Sequence, residues 1–255
     1  FAILDAYEAD AAVAAELIEI PNPSLTELYA RRHAMSVLSQ NNTVILTDSI
    51  YLTIIAYYFD QTTDISGTGV APSLIGTHLG PNSHYINKWD VSALTTLNRA
   101  FNGRSTFNEP LDTWDVSGVT DLSFTFYKCA AFTQDLNTWD VSNVTLFTAT
   151  FSAARSFNGD IDNWDMSSAT ALDAMFQFAW AFDRDITGWD VAKVTTFRST
   201  LQGARTFNHD ITKWNYSSAT TVRQMMGNTL QYEYKVDTMT IPPNISVDRM
   251  FASPS

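Results

Sequence analysis

Two rows of carboxylates recur at a constant interval of 25 residues: Asp90, Asp115, Asp140, Asp165 and Asp190, then Asp135, Asp160, Asp185 and Asp210. Oxygen ligands in register suit a calcium ion held between successive turns of chain. The glycine-rich G-G-x-G-x-D spacing of calcium-binding repeats is absent, so no metal is assigned. Each carboxylate is instead expected to accept backbone N–H groups of its own turn, as Asx motifs do, with Ser117 or Ser142 two residues on assisting.

Residue types that carry catalysis are scarce and scattered. The lone cysteine, Cys129, shares a column with Ala154, Ala179 and Ala204 and with no histidine, so it is expected in the core rather than as a nucleophile or ligand. His33, His78, His84 and His209 are dispersed, and Gly67-Thr68-Gly69 is followed by Pro72 where a dinucleotide loop needs its third glycine. Neither a catalytic residue nor a cofactor is assigned, and the chain is expected not to be an enzyme.

The column that varies most is more informative. It reads Ser105, Ala130, Arg155, Trp180, Arg205, Leu230, and Trp180 is the one tryptophan of the seven outside the 25-residue interval. Arginines one repeat away on either side predict a stacked Arg155–Trp180–Arg205 patch able to hold an aromatic group, a sugar or a carboxylate. Phe178, Tyr127 and Lys128 occupy neighbouring variable columns and complete the candidate partner-binding set. The competing expectation is that Trp180 packs locally against the next loop. A threonine column, Thr95, Thr120, Thr145, Thr170, Thr195 and Thr220, resembles the ordered threonines of ice-binding repeats. Its flanking columns are mostly apolar, so turn hydrogen bonding or helix capping is the expected role.

The elements that must position these side chains follow from the tryptophans. Trp89, Trp114, Trp139, Trp164, Trp189 and Trp214 stand 25 residues apart without insertion or deletion. Around them the sequence repeats as F-x-x-D-[LI]-x-x-W-D-V-S-x-V-T, for example FTQDLNTWDVSNVT from Phe132. A fixed metre of this length predicts an α/β solenoid, a stack of about six to seven units, roughly 30 Å long at the spacing of parallel strands. Trp114 and Val116 alternate as in a strand, whereas Leu122, Phe126 and Cys129 follow i, i+4, i+7, so each unit is expected to pair a short parallel strand with a short helix. Large apolar columns headed by Phe101, Phe107 and Leu111 are the expected core.

The division falls near residue 80, with the repeat domain spanning 80–255 and residues 1–79 forming an α-helical cap or docking region. Helices are expected from Asp5 to Ile20, stopped by Pro21 and Pro23, from the Ser24/Glu27 capping box towards Leu38, and from Asp48 to Phe59. The open end of a stack needs a cover, which this region would supply.

Composition limits the partners. The 255 residues are 45% hydrophobic and carry 27 acidic against 15 basic side chains, a net charge of −12. Nucleic acid and anionic lipid are repelled on average. The most apolar stretch, from Val44, is interrupted by Asp48 and falls short of the roughly 20 residues a bilayer requires, so no membrane span is assigned. The chain starts at Phe1, which points to a signal or anchor upstream, and the Asn-x-Ser/Thr triplets at Asn41, Asn143, Asn215 and Asn244 mildly favour a secretory route.

The string F-N-x-D-I-x-x-W-D-V-S-x-V-T, followed by an apolar pair and F-x-x-A, resembles the BspA-like leucine-rich-repeat surface proteins over residues 82–251. Five consecutive copies keep the Trp-Asp dipeptide, from Trp89-Asp90 to Trp189-Asp190, and the sixth departs from it at Trp214-Asn215. The resemblance implies a solenoid at a cell surface or outside the cell, used for adhesion or recognition of a protein or glycan, and it supplies no catalytic residues. The alternative is a structural subunit of a larger assembly docked through residues 1–79.

Overall fold

The computed structural model describes residues 47–48, 51–52, 55, 59, 86–234, 238–245, 247 and 250–251. The helices expected over 5–20 and 24–38 lie outside them. Successive 25-residue units lie in register, joined at one face by parallel bridges from Thr96 to Asp121, Leu146, Ala171, Thr196 and Thr221 in turn. One residue per unit makes such a bridge, and the threonine just before it adds a second rung. The N–H groups of Thr120, Thr145, Thr170, Thr195 and Thr220 each donate to the carbonyl of the threonine one unit earlier at 2.6–2.9 Å. Their hydroxyls reach the same carbonyls at 2.8–3.2 Å. The threonine column is therefore spent on joining units.

The segment with helical spacing takes another form in the described residues. From Leu97 to Arg104, alternate N–H groups (Leu97, Arg99, Phe101, Gly103) donate to the following unit, and those between (Ala100, Asn102, Arg104) close turns onto the carbonyl three residues back. The result is a ribbon of tight turns whose odd rungs are shared with the next unit. Turns closing on Leu97 and Phe101 place Arg99 and Gly103 at φ 62° and 76°, the left-handed third position of a type II turn. The same two columns are left-handed in every later unit, at Phe124 and Lys128, Ala149 and Ala153, Ala174 and Phe178, Ser199 and Gly203, and Gln224 and Asn228. Spacing of i, i+4, i+7 fits this ribbon because it too buries Leu122, Phe126 and Cys129 on one side.

Inside the stack, like rings lie on like rings. Trp114, Trp139, Trp164, Trp189 and Trp214 stack nearly parallel at 6.4–6.5 Å. Phe101, Phe126, Phe151 and Phe176 do so at 5.3–5.7 Å, and Phe107 to Phe207 at 5.7–6.1 Å. The indole Nε1 of Trp114, Trp139, Trp164 and Trp214 donates to the carbonyl 28 residues earlier, satisfying a polar atom that the core would otherwise strand. Cys129 fills its small slot fully buried, its thiol donating to the Phe101 carbonyl, and burial pushes its pKa up to about 12.

At the start of the stack, Tyr51 and Ile55 are buried, and Leu52 and Phe59 pack on the same core. Tyr51, Ile55 and Phe59 are four residues apart, one face of a helix. Phe59 meets Phe101 and Phe107 edge-on at 6.2 and 5.5 Å, and the Tyr51 hydroxyl donates to the Asn98 carbonyl. At the far end the Met226 N–H donates to the Met250 carbonyl, which carries the register into the last described residues. Met250 is buried there, whereas Phe251, last in the Phe101 row, is 44% exposed.

Candidate recognition site

The corner that follows each turn ribbon is fixed from unit to unit. Ala131, Ser156 and Ala181 donate their N–H groups to the carbonyls of Ser105, Ala130 and Arg155, and the Thr206 hydroxyl continues the series to the Trp180 carbonyl at 3.0 Å. The preceding residues, Ala154, Ala179 and Ala204, are fully buried. A small residue pinned in the core with a bonded corner behind it leaves the next side chain pointing outward, and it does so in a straight column. Arg155, Trp180 and Arg205 occupy consecutive places in that column.

The three side chains meet as their order predicts. The Arg155 guanidinium carbon lies 4.4 Å from the Trp180 ring centroid and that of Arg205 also 4.4 Å, one from each neighbouring unit. Trp180 is half-buried between them, and both arginines are exposed. Two cations on one indole repel each other, and the ring quadrupole offsets that cost. Among the described residues neither guanidinium pairs with a carboxylate, although the chain carries 27 acidic side chains. Arg184, by contrast, reaches Asp135 at 3.9 Å. With an arginine from each neighbouring unit over the indole, an aromatic group or sugar has no open face of Trp180 to stack on.

The other candidates separate from this trio. The Phe178 side chain sits against the Gly203 backbone, where an added Cβ would fall 2.6 Å from the ring. Tyr127 and Lys128 lie on the turn ribbon, the Lys128 ammonium 5.2 Å from the Tyr127 ring centroid and Tyr127 edge-on to Phe124 at 5.7 Å. Phe124, Ala149 and Ala174 form a small buried cluster beside Tyr127, and Arg99 lies 5.0 Å from the Phe124 centroid. Arg99 and Phe124 escaped the sequence reading. Their signal was the shared column 99, 124, 149, 174, which a helical reading had no reason to place outward.

The carboxylate rows are occupied by their own turns. Asp90, Asp115, Asp140, Asp165 and Asp190 each accept the N–H two residues on at 2.9–3.1 Å, and Asn215 accepts the Ser217 N–H in the same way. Asp160, Asp185 and Asp210 do the same in the second row, whereas Asp135 accepts the Asp160 N–H from the next unit. Hydrogen bonds from Ser117 hold Asp115 below the usual carboxylate range, and those from Thr187 and Thr212 do the same for Asp185 and Asp210. Among the described residues no three His, Cys, Asp or Glu side chains converge as metal ligands. His209 faces two carboxylates, Asp183 at 3.3 Å and Asp185 at 4.0 Å.

The register of the units and their shared rows make this a repeat protein of the broad BspA-like kind. The chain belongs to the family described as Mycoplasma protein of unknown function, DUF285, whose profile matches residues 77–181 and 147–255. Comparison with curated proteins and with solved structures gives no significant match.

Proposed function

We propose that the chain is a non-catalytic recognition or adhesion module, a solenoid scaffold that presents a variable column to a protein or glycan at a cell surface or outside the cell. The observation that carries this reading is the Arg155–Trp180–Arg205 sandwich. Rows that stay apolar build the core, while this column changes residue type at every step and assembles an ordered, charge-unbalanced feature on the exterior. Ring stacking restrains the rotamer freedom of both arginines, so less entropy remains to be lost on binding. BspA-like kinship supports the surface setting.

The alternative, a structural subunit docked through residues 1–79, finds less support. The face carrying Tyr51, Ile55 and Phe59 is already spent on the first repeats.

Protein and glycan arrays probed with the full chain and with Trp180→Ala test the reading. Ligand capture by the parent and its loss in the variant, at an unchanged melting temperature, is the expected result. Capture unaffected by the substitution would move recognition off this column.

A further inference from the structure

Resting on that reading, we propose that the column binds an anionic polysaccharide bearing a carboxylate on every second sugar, lying along the stack axis across Arg155 and Arg205. The guanidiniums flank one indole at 4.4 Å each, which places the two charges at most about 8.8 Å apart, close to two spacings of a parallel ladder. Between them the half-buried Trp180 offers an apolar rim. Charge, apolar rim and charge in a line match a polymer in which a charged sugar alternates with an uncharged one that turns C–H groups towards the protein. Neither guanidinium pairs with a carboxylate among the described residues, and the planar fork of N–H donors on each suits a two-point grip on one.

Spacing argues against acidic peptides. On an extended peptide, side chains on one face recur every roughly 6.6 Å, short of that separation, and those three apart, at roughly 10 Å, overshoot it and point to opposite sides. A helix brings residues seven apart to roughly 10.5 Å on one face, but helix docking uses an apolar groove for its anchors. Here the corner residues that follow the column, Ala131, Ser156, Ala181 and Thr206, are too small to wall a groove. A densely charged polymer would also meet the field of the net charge of −12, whereas one charge per pair of sugars meets less of it. The two cations, neither paired with a carboxylate among the described residues, supply a local attraction that a Debye length of about 8 Å at physiological salt leaves intact at contact range.

The test is calorimetric titration of the full chain with a hyaluronan oligosaccharide, with neutral dextran and with poly-L-glutamate as comparators. Hyaluronan is expected to bind, dextran not to, and poly-L-glutamate to bind on the order of tenfold more weakly or not at all. Arg155→Ala combined with Arg205→Ala should lower hyaluronan affinity on the order of tenfold or more. Arg155→Lys combined with Arg205→Lys, which keeps the charge but not the planar stack, should fall between. Circular dichroism melts of each variant separate lost binding from lost folding. Equal binding of poly-L-glutamate, or binding that survives the alanine pair, overturns the ligand class. If hyaluronan fails while an array partner is still lost on Trp180→Ala, the ligand class falls and the recognition reading stands; if both fail, both fall.

Discussion

Asp48 accepts both donors of Thr95: its Oδ1 takes the Thr95 N–H at 2.9 Å and its Oδ2 the Thr95 hydroxyl. From Thr120 to Thr220 the same two donors go to the carbonyl of the preceding threonine, as Thr120 does to Thr95. Thr95 is first in the row, and the Asp48 carboxylate stands where that carbonyl would be. A side chain 47 residues earlier thus supplies the acceptor of a missing unit, and it blunts the open edge that unpaired backbone groups would present.

Asp48→Ala should therefore loosen the first units. Hydrogen bonds to charged groups contribute about 1.5–3 kcal/mol, and exposure of this pair brings the expected loss below that range, to about 1 kcal/mol. Hydrogen exchange should rise at Thr95 and leave Thr170 and Thr195 unchanged. Asp48→Asn, which keeps one acceptor, should recover part of the protection.

Trp189 sits in the indole row, yet its Nε1 has no acceptor among the described residues. Its neighbours Trp164 and Trp214 donate to the Leu136 and Ile186 carbonyls. Trp164→Phe removes a hydrogen bond and a ring, whereas Trp189→Phe removes an unsatisfied donor and a ring. Urea unfolding should show Trp164→Phe as the more destabilising by about 1 kcal/mol. Equal losses would mean that the Trp189 indole is paired in solution.

Much of the interior was legible because a repeat reports each position six times. Trp114, Phe126, Phe132 and Leu136 recur as the same type in the same column, and all are buried. Cys129 could be placed by its alanine neighbours alone. The Arg155–Trp180–Arg205 contact was legible for the same reason, since column mates one unit apart are in reach. Backbone conformation was not legible: period alone does not distinguish a helix from a ribbon of turns that buries the same side chains. The clue lay in Gly103 and Gly203, two glycines in one column, diluted by Lys128, Ala153 and Phe178, which take the left-handed conformation without being glycine. Asp48 was invisible as a cap because its partner lies in another element.

Those left-handed positions make opposite predictions for two members of one column. Ala153 is held at φ 58° and is only half-buried, so Ala153→Gly relieves steric strain while removing little packing. The melting temperature should rise, by an amount corresponding to about 0.5–1 kcal/mol. Gly203→Ala should do the reverse: its φ is 72°, and the new methyl meets the Phe178 ring. A loss of about 1–3 kcal/mol is expected by differential scanning calorimetry.

Asp173 and Asp115 should respond to pH with opposite signs. Burial raises the Asp173 pKa even though the Thr196 hydroxyl donates to it, so its ionised form costs stability. That cost is fully present above the raised folded pKa and fades as pH falls through it towards the unfolded value. Asp173→Asn, which keeps an acceptor for Thr196, should therefore raise stability at neutral pH. Asp115 is the opposite case, its pKa lowered first by the Ser117 hydroxyl and then by the Ser117 N–H. Its contribution is present above the unfolded pKa and is lost as pH falls through the lowered folded value. Urea midpoints measured from neutral to acid pH should show the gain of Asp173→Asn shrinking with acidification. The deficit of Asp115→Ala should shrink too, but only once pH passes below the ordinary carboxylate range. A gain for Asp173→Asn that persists undiminished into acid would mean that packing, and not the charge, sets its effect.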